Sequence, residues 1–383
     1  MKKLIKFFNL RRKKLRKKYL PLHEPFISIH DQKQIIKGIK SGFVSTAGKD
    51  IKKFEQKIKK VTKSKYVIST INGTSALHIG LKVLGVKFNH EVLIPSISFV
   101  APANAILYNG AIPHFVDSEL SHFGVDPDKL DRYLKKNTYI KNNQCINKKT
   151  KRVIKAIVIV HVFGHPAQII RLVAIGRKYK IKILEDAAEA LGSLYNRKQV
   201  GTFGDIGILS FNGNKIVTTG VGGAIITNTK SLAKLSRHLS TTSKLNHKWD
   251  FVHDMIGFNY RLANLNASLG ISQIDKLNKF ILHKHKLLKK FKGFFKDNNQ
   301  FEILDQPSRC RSNFWLHTLI IKKSSKVTKD KILHQFHKNK IFARPVWKPL
   351  HKLKFLKKYP KMSLKNSDLL ENKIINIPSS FYL

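Results

Sequence analysis

Val153–Val160 constrains the fold of this chain more than any other stretch. It is apolar except for Lys155 and rich in β-branched residues, the pattern of a parallel strand buried on both faces. Parallel strands are joined by crossovers, usually helices, so one such strand points to an α/β architecture. The flanking sequence supplies the alternation. Tyr66–Thr70, Glu91–Pro95, Ile112–Asp117, Lys182–Leu184 and Ile206–Phe211 read as short strands. Helical spacing separates them: up to Leu84, over Ala101–Tyr108, after Asp126-Pro127, and over residues 168–178.

Around this alternation the texture varies. Asp31 is placed to cap a helix through Ile35, Ile36 and Ile39, and Asp50–Val61 puts Ile51, Phe54 and Ile58 on one helical face. GFVSTAG, Gly42–Gly48, is a small-residue loop, and residues 136–152, rich in Lys and Asn, read as an exposed loop. Lys230–Leu245 is helical in pattern, and a long helix is expected over Leu262–Phe291. After residue 300 come a strand, Phe314–Ile321, a helix, Lys329–Asn339, and the aromatic loop Ile341–Pro349. These suggest a second, smaller α+β domain. The expected division is a basic arm over 1–20, a large domain over 21–260, and a linker helix with a small domain over 261–383.

The 73 basic and 23 acidic residues leave a net charge of +50. A polyanion partner is one explanation; a Lys-, Asn- and Ile-rich composition spread along the whole chain is the other. No nucleic-acid-binding motif accompanies the charge. Two distant cysteines, Cys145 and Cys310, form no metal-ligand pattern and fit a reducing compartment, so a cytoplasmic location is expected. No apolar run reaches the roughly 18 residues of a membrane span. MKKLIKFFNLRRKKLRKKYL lacks the apolar core and cleavage site of a signal peptide. Its charge density points to a disordered tail, with an amphipathic arm touching an anionic surface as the alternative.

The chemistry gathers at strand ends. Gly207–Gly223, GILSFNGNKIVTTGVGG, reads as strand, tight turn and strand, with Lys215 held in the turn among glycines. A lysine so placed suits Schiff-base chemistry with an aldehyde cofactor. Asn72-Gly73-Thr74-Ser75 enters a helix whose free N–H groups and hydroxyls suit a phosphate; ordinary capping is the plainer reading. Phe99 lies past the end of Glu91–Pro95, where a ring could stack on a planar ligand, although a lone Phe more often packs in a core. The strand Lys182–Leu184 runs into Glu185-Asp186, so Asp186 sits at its carboxyl end, where α/β sheets place ligand contacts. A carboxylate there suits a protonated ring nitrogen. Phosphate anchor, stacking ring, ring-nitrogen partner and reactive lysine are together the requirements of a pyridoxal 5′-phosphate (PLP) site.

The chain resembles the DegT/DnrJ/StrS sugar-nucleotide aminotransferases of PLP fold-type I. The motifs are PLHEPFIS, STINGTSALHIGL, VHVFGHP, LEDAAEALGS, GTFGDIGILSFNGNKIVTTGVGG, GFNYRLANLNASLG, ARPVW and INIPSS, from Pro21 to the C-terminus. The likeness is greatest to the subgroup that aminates UDP-4-keto-6-deoxy-N-acetylhexosamines. It implies a mostly parallel seven-stranded sheet in a large domain and a smaller C-terminal α+β domain. It also implies L-glutamate as amino donor and a homodimer with shared active sites. Lys215 would bond the cofactor, Asp186 pair with its ring nitrogen, Phe99 stack on its ring, and Glu189 lie near its phenolic oxygen. Thr74, Ser75 and Ser210 would hold the phosphate, with Asn259 reaching it from the other subunit. Val44, Ser45 and the His161–His165 segment are weaker candidates for the substrate side. Val221, Met255 and the pair Gln168-Ile169 depart from the family pattern without removing a catalytic group. Amination of another keto position or nucleotide sugar is an alternative, as is a degenerate scaffold that binds polyanions.

Overall fold

The computed structural model describes residues 1–322 and 327–383. Its central sheet contains β1 (Tyr66–Thr70), β2 (Glu91–Pro95), β3 (Ile112–Val116), β4 (Ile154–Val160), β5 (Lys182–Asp186), β6 (Ile206–Ser210) and β7 (Gly223–Thr227). Their spatial order is β1-β7-β6-β5-β4-β2-β3. Strands β2 to β6 are parallel, and β7 is antiparallel to both of its neighbours. Thus β1 to β6 all end on one edge of the sheet. In β4 every residue except Lys155 is buried, as its composition predicts.

Successive residues of these strands serve opposite layers. Val92, Ile94, Ala156, Val158 and Leu184 pack in one cluster, while Leu93, Ile157, Ile159 and Ile183 pack in another. Twelve α-helices occur among the described residues. The first ten are α1 (Lys2–Lys14), α2 (Ile29–Lys40), α3 (Lys49–Thr62), α4 (Gly73–Val83), α5 (Ala101–Tyr108), α6 (Pro127–Asn137), α7 (Ile169–Lys178), α8 (Lys230–Ser240), α9 (Asn264–Asp275) and α10 (Leu277–Phe294). Helices α4, α5 and α8 contribute to the first layer, and α6 and α7 to the second. A second sheet holds β8 (Phe301–Ile303), β9 (His317–Ile321), β10 (Arg344–Pro345) and β11 (Ile374–Ile377), antiparallel in the order β8-β9-β11-β10. Helix α10 joins the two parts: Leu277, Phe280 and Ile281 pack with the large sheet, and Leu287, Leu288 and Phe291 with the small one.

Four expectations are corrected. The N-terminal segment is not a disordered tail. Helix α1 buries Leu4, Phe7 and Phe8 against Phe291, Phe336 and Ile375, because apolar residues spaced for one helical face outweigh the charge around them. Asp31 is not the N-cap of α2. Ser28 caps the helix, and Asp31, fully buried, completes the capping box and pairs with Lys276 and Ser272 of the chain that follows α8. The single long helix after Leu262 is two, divided at Lys276, whose N–H turns to Gln273 O at 3.1 Å. Residues 136–152 contain a two-stranded hairpin, Thr138–Lys141 with Gln144–Asn147, anchored by buried Cys145 and Asn147.

Candidate active site

The edge where β1 to β6 end carries the site. Beyond β6 the chain turns through Asn212–Asn214, and Lys215 N–H donates to Asn212 O at 2.9 Å. The Lys215 ammonium lies 3.3 Å from Glu189 Oε1 and 3.9 Å from the centre of the Trp315 ring. Gly220, at φ +82°, supplies the backbone reversal that returns the chain to β7. Asn266 Nδ2 fixes that reversal through Thr219 O at 2.7 Å.

Asp186 and Glu189 both lie buried beside Lys215. Burial raises the Asp186 carboxyl above its ordinary range, partly opposed by the Ala188 N–H and by the positive charge of Lys215. Among the described residues the one hydrogen bond to its side chain runs from Ala188 N–H to Oδ1, at 3.0 Å. Burial likewise raises Glu189, with Lys215 and the Phe163 N–H opposing and Asp186 adding to the rise. Phe163 N–H donates to Glu189 Oε2 at 2.8 Å from a residue at φ +54°. The strained turn at Phe163 therefore orients Glu189.

The N-terminus of α4 faces the same edge. Asn72 caps it through Ser75 N–H at 2.7 Å. Thr74 is half-buried and Ser75 buried at the first turn, where helix N–H groups lack intrahelical partners. A methyl group on Gly73 would lie 3.2 Å from Ser210 Cβ, so the helix start and the end of β6 form one small cradle. Four expected residues, Thr74, Ser75, Ser210 and Lys215, thus lie around the start of α4 and the turn after β6, with Asp186 and Glu189 beside Lys215. The donor set suits PLP: N–H groups and hydroxyls for a phosphate, Asp186 for a protonated ring nitrogen, and an amine for an aldehyde.

Phe99 is half exposed just beyond β2, its ring 6.4 Å from that of Trp347. Asn259 is exposed and pairs by backbone with Thr241, while the neighbouring Tyr260 O accepts from Ile71 N–H at 2.7 Å. Val44 and Ser45 sit in a loop fastened to the start of α9. Ser45 O accepts from Asn264 N–H at 2.6 Å, and Asn264 Nδ2 donates to Phe43 O at 2.7 Å. The imidazoles of His161 and His165 are both buried. Ala167 N–H donates to His161 Nδ1, so Nε2 carries the proton and donates to Glu185 Oε2 at 3.1 Å. His165 pairs with Ser312 at 3.0 Å, and burial drives its pKa to about 3. Between the two histidines, Phe163 turns its backbone N–H to Glu189.

Sequence reasoning missed several residues. A cavity of about 510 Å³ lies beside the Lys215 turn and is walled by His23, Phe163, Asn214, Trp315, Arg344 and Trp347. Its walls come from both parts of the chain. Trp315 and its neighbour Asn313 carried no local signal, since their partners lie about a hundred residues away in sequence. The ARPVW motif did mark Arg344 and Trp347, but without a role.

Comparison with known proteins agrees with this geometry. Residues 26–383 match the DegT/DnrJ/EryC1/StrS aminotransferase family. The chain is 31% identical to the GDP-perosamine synthase of Escherichia coli O157:H7, with 94% of this chain and 93% of that protein covered. It is 28% identical to the UDP-4-amino-4,6-dideoxy-N-acetyl-beta-L-altrosamine transaminase of Campylobacter jejuni, covering 88% and 86%. The solved structure of Helicobacter pylori PseC, an aminotransferase involved in the biosynthesis of pseudoaminic acid, superposes with a TM-score of 0.85 at 25% identity, covering 94% of each chain. The chain belongs to the DegT/DnrJ/EryC1/StrS aminotransferase family. It is a PLP-dependent sugar aminotransferase of nucleotide-sugar biosynthesis.

Proposed function

We propose that the chain transfers the amino group of L-glutamate to the 4-keto carbon of a UDP-4-keto-6-deoxy-N-acetylhexosamine. The observation that carries the reading is the Lys215 ammonium, held 3.3 Å from Glu189 and beside buried Asp186. When bound, PLP supplies an aldehyde for the lysine and a ring that accepts electrons. Thr74, Ser75 and Ser210 would hold its phosphate, Asp186 would hold the proton on its ring nitrogen, and Phe99 would cover its face. Lys215 Nζ would take the α-proton of the amino donor and return a proton on the opposite half-reaction. Phe163, Trp315 and Trp347 would exclude water from the inner end of the cavity.

Amination of another nucleotide sugar is the second reading. It is favoured by the identity to a protein named for a GDP-linked product, 31% against 28% for one named for a UDP-linked sugar. The polyanion-binding scaffold has no such support, because the Lys215, Asp186 and Glu189 set is intact.

We also assign the working unit as a homodimer in which Asn259 enters the partner's phosphate site. The segment before it supports this, exposing Trp249, Phe251 and Ile256 at 72%, 78% and 83%. No described helix is long and apolar enough to cross a membrane. We place the enzyme in the cytoplasm, with weak contact to anionic surfaces through the outer face of α1.

The test is the visible spectrum of the protein with PLP, before and after L-glutamate, beside Lys215→Ala. A lysine-dependent band that glutamate removes is expected. UDP-linked 4-keto-6-deoxy-N-acetyl sugars should then restore it faster than GDP-linked or unacetylated ones. No lysine-dependent band would overturn the reading, and faster recovery with a GDP sugar would replace the substrate.

A further inference from the structure

Trp315 is 5% exposed, and each of its polar groups is engaged. Its indole N–H donates to Asn214 O at 2.6 Å. Its backbone N–H donates to Asn313 Oδ1 at 2.8 Å, and its carbonyl accepts from Lys284 Nζ at 2.9 Å. Asn214 immediately precedes Lys215, so the indole grips the turn that carries the reactive lysine while its ring face meets the ammonium at 3.9 Å.

The same anchor holds the opposite wall. Asn313 Nδ2 donates to Glu189 O at 2.8 Å and to Leu191 O at 3.0 Å. A methyl group on Gly164 would meet Asn313 Oδ1 at 1.9 Å, so the amide fills the space that this glycine leaves. Behind Trp315, Lys284 is fully buried, and its Nζ donates to the carbonyls of Trp315 and Ser379, with no carboxylate paired to it among the described residues. Burial of this amine away from water lowers its proton affinity well below the ordinary lysine range. Glu189 and Trp315 are therefore fixed to each other through one buried amide, and the Lys215 ammonium sits between them.

We propose that Trp315 is a positioning residue for the reaction: its ring face and Glu189 Oε1 form the berth that receives the Lys215 amine whenever it is not bonded to the cofactor. A π face attracts a cation and not a neutral amine, and does so most in a desolvated site. The berth thus holds the protonated lysine in reach of the cofactor site. Loss of the ring face should make the proton easier to lose and leave the side chain free to wander. This rests on Lys215 being the reactive amine.

Two substitutions separate the ring face from the fold. Trp315→Phe and Trp315→Leu both lose the bond to Asn214 O, but only the Leu variant loses the π face. The readout is the pH dependence of covalent PLP uptake by cofactor-free protein, followed by absorbance, since only the neutral amine attacks an aldehyde. For Trp315→Leu the midpoint should fall by about one pH unit, a tenfold change in proton affinity. Trp315→Phe should stay near the wild-type midpoint. Equal midpoints in wild type and Leu, or the same fall in Phe and Leu, would overturn the proposal. Should the Leu variant fail to fold, Trp315→Met supplies the arm without a ring. Lys215→Met is the control: covalent uptake in that variant would sink the reading of the site itself, not the role of Trp315.

Discussion

Glu185 and Asp186 are consecutive carboxylates of β5 that serve opposite faces of the sheet. Glu185 accepts from Gly201, Phe203 and Gly204 N–H at 2.6–2.7 Å and from His161 Nε2 at 3.1 Å, which ties a loop beneath the strand. Among the described residues Asp186 has one such donor, Ala188 N–H. The first carboxylate is consumed by the fold, and the second keeps acceptor capacity that the proposed cofactor role would use. The period-two alternation of a strand is what assigns them these different duties.

The pair should respond differently to loss of charge. Glu185→Gln should cost about 2–3 kcal/mol, because buried N–H groups lose a charged acceptor. Asp186→Asn should behave in the reverse sense in cofactor-free protein. Burial raises the Asp186 carboxyl, so the folded state holds its proton more tightly than the unfolded state. Its favourable contribution is therefore complete below the ordinary carboxyl range and is lost as pH rises through the raised value. Thermal unfolding at pH 5 and pH 8 checks this: Asn should gain on Asp at the higher pH, and a gain confined to the lower pH would refute it.

Glu189→Gln tests electrostatic coupling to the lysine. A carboxylate 3.3 Å from Lys215 favours positive charge there. Its removal should move the pH midpoint of the visible cofactor band downward in the PLP-loaded protein. A midpoint that stays in place would mean that Glu189 carries no charge in that state, as the rise caused by its burial would allow.

The sheet was legible because each strand is written locally, as a β-branched apolar run between turn residues. The candidates Asp186 and Lys215 could be picked out because one follows the apolar run from Lys182 and the other stands in the Asn- and Gly-rich turn after Ile206–Phe211. What stayed hidden depends on partners far along the chain. Asp31 looks like a cap until Ser272 and Lys276 fold against it. Trp315 and Asn313 acquire their roles only when the C-terminal part docks on residues 164–215. Helix α1 was hidden differently: the Leu4, Phe7, Phe8 spacing was present, but dense charge obscured it.

The exposed segment before Asn259 predicts a dissociable second copy. Trp249→Ser with Phe251→Ser should turn a dimer into a monomer in sedimentation and weaken PLP binding at low protein concentration. Asn259→Ala should leave the dimer whole and weaken PLP binding alone, by about tenfold for one lost charge-assisted hydrogen bond. Variants that bind PLP normally as monomers would show that each site is complete within one chain.

Helix α1 gives the last test, because it separates burial from charge on one element. Phe8 is fully buried between Phe7, Phe291 and Phe336. Phe8→Ala should cost about 3–5 kcal/mol by denaturant unfolding, the range for an aromatic lost from a core. Lys6→Ala, exposed on the same helix, should change stability by no more than about 0.5 kcal/mol. Since Leu4, Phe7 and Phe8 of α1 are committed to the core, contact with an anionic membrane rests mainly on the outer lysines and arginines, with Leu10 the one large apolar side chain left exposed on the described helix. Binding to vesicles of anionic lipid should therefore vanish between about 0.1 M and 0.5 M salt as the charges are screened, and neutral vesicles should not bind. Binding that survives high salt, together with a stability unaffected by Phe8→Ala, would mean that the helix leaves the core to enter the bilayer.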